Sequence, residues 1–162
     1  PSEQRQARPL RHRLLGRLAL EFPGLEVVAN GGAKTVAGAK RLCDPPLRGV
    51  MVGRAVRDQP FLCSTLDQEW FGDMSRKPSS RRELVKSYLG YVERVAADER
   101  NVAFGWQRAR LGKPLLNLFQ GVRGFDRWHK VISEWLHGGR MFGFRTTLEW
   151  AMTGLHASDL DA

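Results

Sequence analysis

Two short apolar runs that each end in glycine decide the fold: LEVVANGG at residues 25–32 and GVMVGR at residues 49–54. Both are mostly apolar and contain β-branched valines, which is typical of a strand buried on both faces of a sheet. Between them, Thr35 can cap a short helix that reaches about Leu42. Two strands joined by a crossover helix must run parallel, so the pattern predicts part of an α/β sheet or barrel.

The residues around these runs read as helices. Apolar spacing predicts a helix over 14–22, ended by Pro23-Gly24, and a second over 55–70 with a break near Pro60. Two strands cannot form a stable sheet alone, which indicates that neighbouring strands are missing. The start at Pro1, without methionine, agrees with this. We therefore expect the chain to be part of a longer protein.

A polar stretch over residues 72–80 marks the predicted boundary between an α/β domain at 1–73 and a helical domain at 80–157. Ser80 and Glu83 form a capping-box pattern before the first helix of the second domain. Further helices are predicted over 103–119, 125–136 and from 142 or 146 to 155, which together indicate a small helical bundle. The last residues, 158–162, are expected to fray.

Composition indicates a globular protein with a polyanionic partner. The chain has 162 residues, 42% of them hydrophobic, and 26 Lys and Arg against 17 Asp and Glu give a net charge of +9. The sequence has no signal-peptide pattern and no apolar run of membrane-spanning length. Cys43 and Cys63 have neither CxxC spacing nor nearby histidines, so no metal site is expected, and a reducing, cytoplasmic compartment fits best.

The two strand ends carry the most informative chemistry. Asn30-Gly31-Gly32 and Gly53-Arg54 would lie side by side if the strands are neighbours. Glycine N–H groups, the following helix and the Arg54 guanidinium would then form a site for a phosphate, here called the anion cup. Glycines after strands are also ordinary turn residues, but the pair of motifs favours a phosphate site. Neither helix opens with G-x-G-x-x-G, which disfavours a dinucleotide.

Basic residues cluster in the helical part. Arg123, Arg127 and Lys130 flank Trp128 and His129, and Arg108, Arg110 and Lys113 lie shortly before them. Such a cluster suits contacts with nucleic-acid phosphates. It equally suits a solvated helix face, and Trp128 fits either a core position or a base-stacking platform. The residues alone leave these alternatives open.

The sequence resembles the tRNA-dihydrouridine synthase family over nearly its whole length. The barrel motifs that match in order and spacing are RPLR at 8–11, FPGL at 22–25, VANGG at 28–32, GVMVGR at 49–54 and WFGD at 70–73. The helical elements LLNLFQG at 115–121, Gly124, Trp128 and ISE at 132–134 resemble the A-type branch, which modifies tRNA D-loop uridines at position twenty and its neighbour.

The resemblance implies the end of a flavin-binding TIM (β/α)8 barrel followed by a tRNA-binding helical domain. It implies FMN as cofactor and NADPH as reductant, with the FMN phosphate held by Asn30, Gly31, Gly32, Gly53 and Arg54. The family's catalytic cysteine stands in an Asn-Gly-Cys-Pro context, which neither Cys43 nor Cys63 has. No catalytic residue is therefore expected here, and the isolated chain is expected to be inactive and to bind FMN poorly.

The resemblance also implies tRNA as partner and favours the phosphate-contact interpretation of the basic cluster. Arg5 matches a tRNA-contacting position, whereas the family's two arginines beside the tryptophan fall on Asp126 and His129. Arg123 and Arg127 can compensate. The predicted tRNA-binding residues are Arg5, Lys113, Arg123, Arg127, His129 and Lys130. The complete enzyme is expected to be a monomer.

Two other functions remain as alternatives. One is a helical RNA-binding module with a remnant of barrel and no redox activity. The other is a different phosphate-binding barrel, such as a dihydroorotate-dehydrogenase-like flavoprotein, which the helices after Ser80 disfavour.

Overall fold

The computed structural model describes residues 10–75, 77–98, 108–138 and 143–162. Their contacts divide the chain into two compact units. The first contains residues 10–56 and Thr65–Met74, and the second contains Arg57–Ser64 and the chain from Ser75 onward. The boundary between Met74 and Ser75 falls inside the polar stretch at 72–80. The sequence gives no indication that residues 57–64 belong to the helical unit.

The first unit alternates helices and strands in the order α1, β1, α2, β2, α3, α4. Their bounds are α1 His12–Glu21, β1 Val28–Asn30, α2 Val36–Leu42, β2 Gly49–Met51, α3 Arg54–Asp58, which runs into the second unit, and α4 Leu66–Phe71. The predicted crossover helix begins as expected, because the Thr35 hydroxyl accepts a hydrogen bond from the Gly38 N–H at 3.0 Å.

The predicted parallel pairing of the two strands is confirmed. Val28 lies opposite Gly49, Ala29 opposite Val50 and Asn30 opposite Met51. These are the only two strands among the described residues.

The two faces of this sheet differ. Ala29 is fully buried, as is typical of a covered face. On the opposite face, Val28 is 50% exposed and Met51 is 54% exposed. The expectation that both faces are buried is therefore wrong for the described part of the chain, because Val28 and Met51 stay half exposed.

The second unit consists of helices and short 3-10 turns. The α-helices are α5 Arg81–Ala97, α6 Arg108–Gly112, α7 Phe125–Leu136, α8 Phe144–Met152 and α9 Ala157–Leu160, and the 3-10 turns are Pro60–Thr65 and Lys113–Leu115. The predicted capping box is present: the Glu83 N–H donates to the Ser80 hydroxyl at 3.2 Å, and the Ser80 N–H donates to the Glu83 carboxylate at 2.9 Å.

Two helix predictions in this unit need correction. The helix expected over 103–119 ends at Gly112 and gives way to a 3-10 turn, since Pro114 has no N–H to continue it; residues 101–107 lie outside the described part. The carboxyl end, expected to fray, forms α9 instead. There Leu160 is buried and the Asp161 carboxylate pairs with Arg82 at 2.5 Å. Tertiary contacts hold this end in place.

Trp128 on α7 is the centre of the core of the second unit. Its side chain is fully buried, its ring centroid lies 4.5 Å from that of Phe119, and its indole N–H donates to the Leu115 carbonyl at 2.8 Å. The core is completed by Val85, Leu89, Leu118, Val131, Ile132, Leu148, Ala151, Leu155 and Leu160. A single side chain thus joins the irregular 113–119 segment to the regular helices.

Arg81 explains why residues 57–64 belong to the helical unit. Its guanidinium lies 3.7 Å from the centroid of the Phe61 ring and donates to the carbonyls of Leu118 at 3.3 Å and Asp159 at 3.4 Å. Burial lowers the pKa of Arg81, while the nearby Asp159 carboxylate opposes that shift. The Arg81 guanidinium therefore connects three separate segments.

We predict that Gly124→Ala strongly destabilises the second unit. Gly124 has φ +89° at the start of α7, and an added Cβ would overlap the Gly154 carbonyl oxygen. Gly121→Ala is the matched control, because it has φ +83° but open space around its Cβ position. The control should lose about 1–2 kcal/mol of unfolding free energy from backbone strain alone, and Gly124→Ala should lose more. Urea unfolding followed by tryptophan fluorescence measures both, and equal losses would contradict the overlap.

We predict that Tyr88 makes the second unit less stable at alkaline pH. Its hydroxyl donates to the Leu111 carbonyl at 2.8 Å, and burial, followed by the neighbouring Tyr91, raises the pKa of Tyr88. A raised pKa in the folded state favours the neutral phenol, so this contribution is present below the ordinary value of about 10 and is lost as the pH rises.

Tyr88→Phe tests this expectation by urea unfolding at several pH values. At neutral pH the unfolding free energy of the variant should be about 1 kcal/mol lower than that of the parent protein, because the hydrogen bond is gone. As the pH rises above about 10, the unfolding free energy of the variant should fall less than that of the parent. A parallel alkaline decline in both proteins would show that another group is responsible.

Candidate functional site

The residues predicted to form the anion cup lie at one end of the two-stranded sheet. Since Asn30 pairs with Met51, the Gly31-Gly32 turn and the Gly53-Arg54 segment both leave the strands at the same edge. Asn30, Gly32, Gly53 and Arg54 are exposed there, and Gly31 is half-buried. The parallel register thus brings the carboxyl ends of both strands, and the residues that follow them, to one side of the sheet.

The turn after β1 requires its glycines. Gly31 and Gly32 have φ +88° and +85°, a conformation that side chains other than glycine rarely adopt. A Cβ on Gly32 would lie 2.9 Å from Cε1 of His12, and one on Gly31 would lie 3.2 Å from Cδ1 of Leu10. Outside the helices and the strand ladder, no backbone hydrogen bond among the described residues uses the N–H groups of Gly32 and Gly53.

At this end of the sheet, the Arg54 side chain contributes more positive charge than the helix dipoles do. Arg54 is exposed at the first position of α3. The helices that follow the strands, α2 and α3, have seven and five residues, so few peptide dipoles are aligned and the helix contribution expected from the sequence is small. An anion here would depend on backbone donors and one guanidinium.

His12 is a residue of this end that the sequence did not identify. It is the first residue of α1, and its ring packs against the Gly31-Gly32 turn. Its Nε2 atom is buried and has no hydrogen-bond partner within the described residues. Nothing in the linear order of the sequence indicates that α1 begins beside the glycine turn.

The basic residues predicted from the helical domain differ in how they are held. Lys113, Arg123 and Lys130 are exposed. Arg127 is exposed but tethered, because it donates to the Thr153 hydroxyl at 2.9 Å and its Cζ lies 5.2 Å from the centroid of the Trp150 ring. His129 is half-buried, with its ring 5.4 Å from that of Phe125. Arg5 lies outside the described residues.

Trp128 belongs to the core, and the two cysteines lie apart from the predicted anion-cup residues in sequence. Because Trp128 is fully buried in the core, it offers no stacking surface. Cys43 is half-buried at the end of α2, and Cys63 lies on the 3-10 turn before α4. Burial raises the pKa of the Cys63 thiol, which disfavours the reactive thiolate.

The described residues contain neither a metal-ligand cluster nor a membrane-spanning helix. No group of three or more His, Cys, Asp and Glu side chains in this part of the chain is arranged to hold a metal ion. None of the described helices combines the length and the apolar character that a bilayer crossing requires.

Comparisons with known proteins agree on one family. The dihydrouridine synthase family model matches residues 1–134. A protein of Vibrio vulnificus named tRNA-dihydrouridine(20/20a) synthase is 33% identical over 137 residues, which are 85% of this chain and 40% of that protein. Proteins of the same name from Pseudomonas aeruginosa and Escherichia coli K12 are 32% and 31% identical over 137 residues, 39% and 37% of their lengths. The chain thus spans about two fifths of the curated relatives that it matches.

Proposed function

The chain belongs to the dihydrouridine synthase family, and we propose on that premise that it forms the carboxyl-terminal part of an FMN-dependent tRNA-dihydrouridine synthase. The observation that carries the proposal is the parallel strand pair, whose register sends two glycine turns and Arg54 from the same edge of the sheet. A phosphate-bearing cofactor is the ligand that such an edge suits best. The proposed substrate is a D-loop uridine, as the names of the relatives imply.

The open apolar surfaces of the first unit support a larger barrel. Val28 and Met51 are half exposed on one face of the sheet, and Leu14 and Leu18 of α1 are also exposed. A two-stranded sheet with one bare face is too small to be independently stable. In the proposed enzyme, the remaining strands and helices of a TIM barrel cover these side chains. The matched share of the relatives, about two fifths, leaves room for them.

The residues of the anion cup fit the phosphate of FMN. The glycine N–H groups at the strand ends, a turn that excludes Cβ atoms and an exposed guanidinium would together bind a phosphate dianion. When bound, the flavin supplies the hydride that reduces the uracil ring, after reduction by NADPH. The part proposed for this chain is to hold the cofactor by its phosphate and to present tRNA.

Proton donation is assigned to the part of the enzyme outside this chain. Cys43 and Cys63 lack the Asn-Gly-Cys-Pro neighbours, and neither belongs to the anion cup. We therefore propose that the chain alone is inactive. The complete enzyme is proposed to act as a cytoplasmic monomer.

The exposed basic residues of the second unit are the proposed tRNA surface. Lys113, Arg123 and Lys130 are available for phosphate contacts, and Arg127 adds charge from a fixed position. The net charge of +9 supports long-range attraction of a polyanion.

An RNA-binding module without redox activity is the second candidate. It is favoured by the closed core of the second unit and by the lack of a catalytic cysteine. A complementation test separates the two: cells without their own D-loop dihydrouridine synthase receive the gene that contains this chain, and their tRNA is assayed for dihydrouridine. Restored dihydrouridine supports the enzyme, and tRNA binding without restoration supports the module.

We predict that Arg54→Ala weakens flavin binding in the complete enzyme. Loss of a hydrogen bond from a charged donor costs roughly 1.5–3 kcal/mol, or about tenfold to a hundredfold in the dissociation constant. Quenching of flavin fluorescence on binding measures the loss. Riboflavin, which has no phosphate, should bind equally to both proteins.

Arg57→Ala is the matched control for this prediction. It removes an exposed arginine from the same helix, but one whose guanidinium is already paired with Asp58 at 2.7 Å. FMN affinity should stay unchanged in the control. Unchanged FMN affinity in Arg54→Ala would count against the anion cup.

We predict that Arg123→Ala and Lys130→Ala each weaken tRNA binding and flatten its salt dependence. Each lost phosphate contact should lower the slope of log K against log salt concentration by roughly one. Filter binding of tRNA to the chain at several salt concentrations measures the slope. Arg145→Ala is the control, because that guanidinium is already paired with Glu93 at 2.6 Å. Equal slopes in all four proteins would show that Arg123 and Lys130 only face solvent.

A further inference from the structure

His12 carries a buried polar atom without a partner. Its Nε2 has almost no contact with solvent and makes no hydrogen bond to any described residue. Buried polar atoms in folded proteins nearly always have a partner, and an exception often marks a place that a ligand or ordered water completes. The other polar side chains of the described residues show no such vacancy.

The position of this atom connects it with the anion cup. The imidazole packs against Gly32, with Cε1 2.9 Å and Nε2 3.5 Å from the point that a Cβ on that glycine would occupy. Gly32 lies in the turn whose N–H groups belong to the proposed cup, and its own N–H makes no backbone bond outside the helices and the strand ladder. His12 thus reaches the cup from α1, independently of the two strands.

The surroundings of Nε2 permit access. The next side chain at that point is Leu10, whose Cδ1 lies 3.3 Å from the same Cβ position. Leu10 is half exposed, so its side chain can turn away from the site without opening a cavity in the core. An incoming oxygen atom would replace a loosely held methyl group.

We propose that His12 is a further phosphate-binding residue, whose Nε2–H donates to a phosphate oxygen in the anion cup. The inference rests on the proposed function of that cup and adds a neutral or cationic ring donor to its backbone amides and Arg54. The bond gives the buried nitrogen its missing partner. It also makes the strand-end site depend on α1, which the strand motifs alone do not include.

The experiment titrates the complete enzyme that contains this chain, freed of flavin, with inorganic phosphate and follows it by nuclear magnetic resonance. The signals observed are the imidazole of His12 and the backbone amides of Gly31, Gly32 and Gly53. All four should shift along one binding curve in the millimolar range. His12→Phe keeps the ring shape without the donor and should raise the dissociation constant of phosphate roughly tenfold.

Two further variants fix the interpretation. His12→Gln retains an N–H donor and should recover most of the affinity lost in His12→Phe. His137→Phe is the matched control, since the ring of His137 bonds to the Ser133 carbonyl in the second unit, and it should bind phosphate like the parent enzyme.

The outcomes separate the two proposals. The inference fails if His12→Phe binds phosphate with the parent affinity, or if His12→Gln loses as much phosphate affinity as His12→Phe. The histidine then only packs under the turn, and the anion cup is not contradicted. If no glycine amide of the folded parent enzyme responds, the cup itself fails and the inference fails with it.

Discussion

The parallel register of two three-residue strands is the constraint on which the first unit depends. Because Asn30 lies opposite Met51, both strands end on the same side of the sheet, where Gly31-Gly32 and Gly53 follow them. A slip of one residue would move every side chain of a strand to the opposite face. Ala29 would then leave the covered face, and Asn30 would no longer stand at the edge where the glycines begin. The short crossover helix between the strands is capped at its start by Thr35.

The two units differ in how much of their apolar surface is buried. The second unit closes around Trp128, Phe119 and Ile132, all fully buried, and Arg81 joins three of its segments. The first unit buries mainly small residues, and its sheet keeps one bare face. Membership of the dihydrouridine synthase family gives this contrast a simple interpretation. In the proposed barrel, further strands would cover Val28 and Met51, whereas the core side chains of the second unit are already buried.

The charged residues of the second unit do not form one uniform surface. Some arginines stabilise the fold, as Arg81 and Arg82 do through carbonyl and carboxylate partners. Arg127 combines both tasks, since it is anchored to Thr153 while its charge remains near the surface. Lys113, Arg123 and Lys130 are exposed. The net charge of +9 therefore does not state how many cations a polyanion can reach.

The sequence by itself determined the local elements and the family. The capping residues Thr35 and Ser80 predict where their helices start, and apolar periodicity predicts the bounds of α7. Chain connectivity predicts the parallel order of the strands. Each of these signals acts over a short stretch of sequence. The strand-end glycines were likewise identifiable, because their motif lies within the linear order.

Only the tertiary structure decided which side chains meet. The ordered helix α9, the transfer of residues 57–64 to the helical unit and the contact of His12 with Gly32 each depend on residues distant in sequence. The bare face of the sheet is a property of the same kind. Apolar composition states that a residue favours burial, but whether it is buried depends on which other elements are present to cover it.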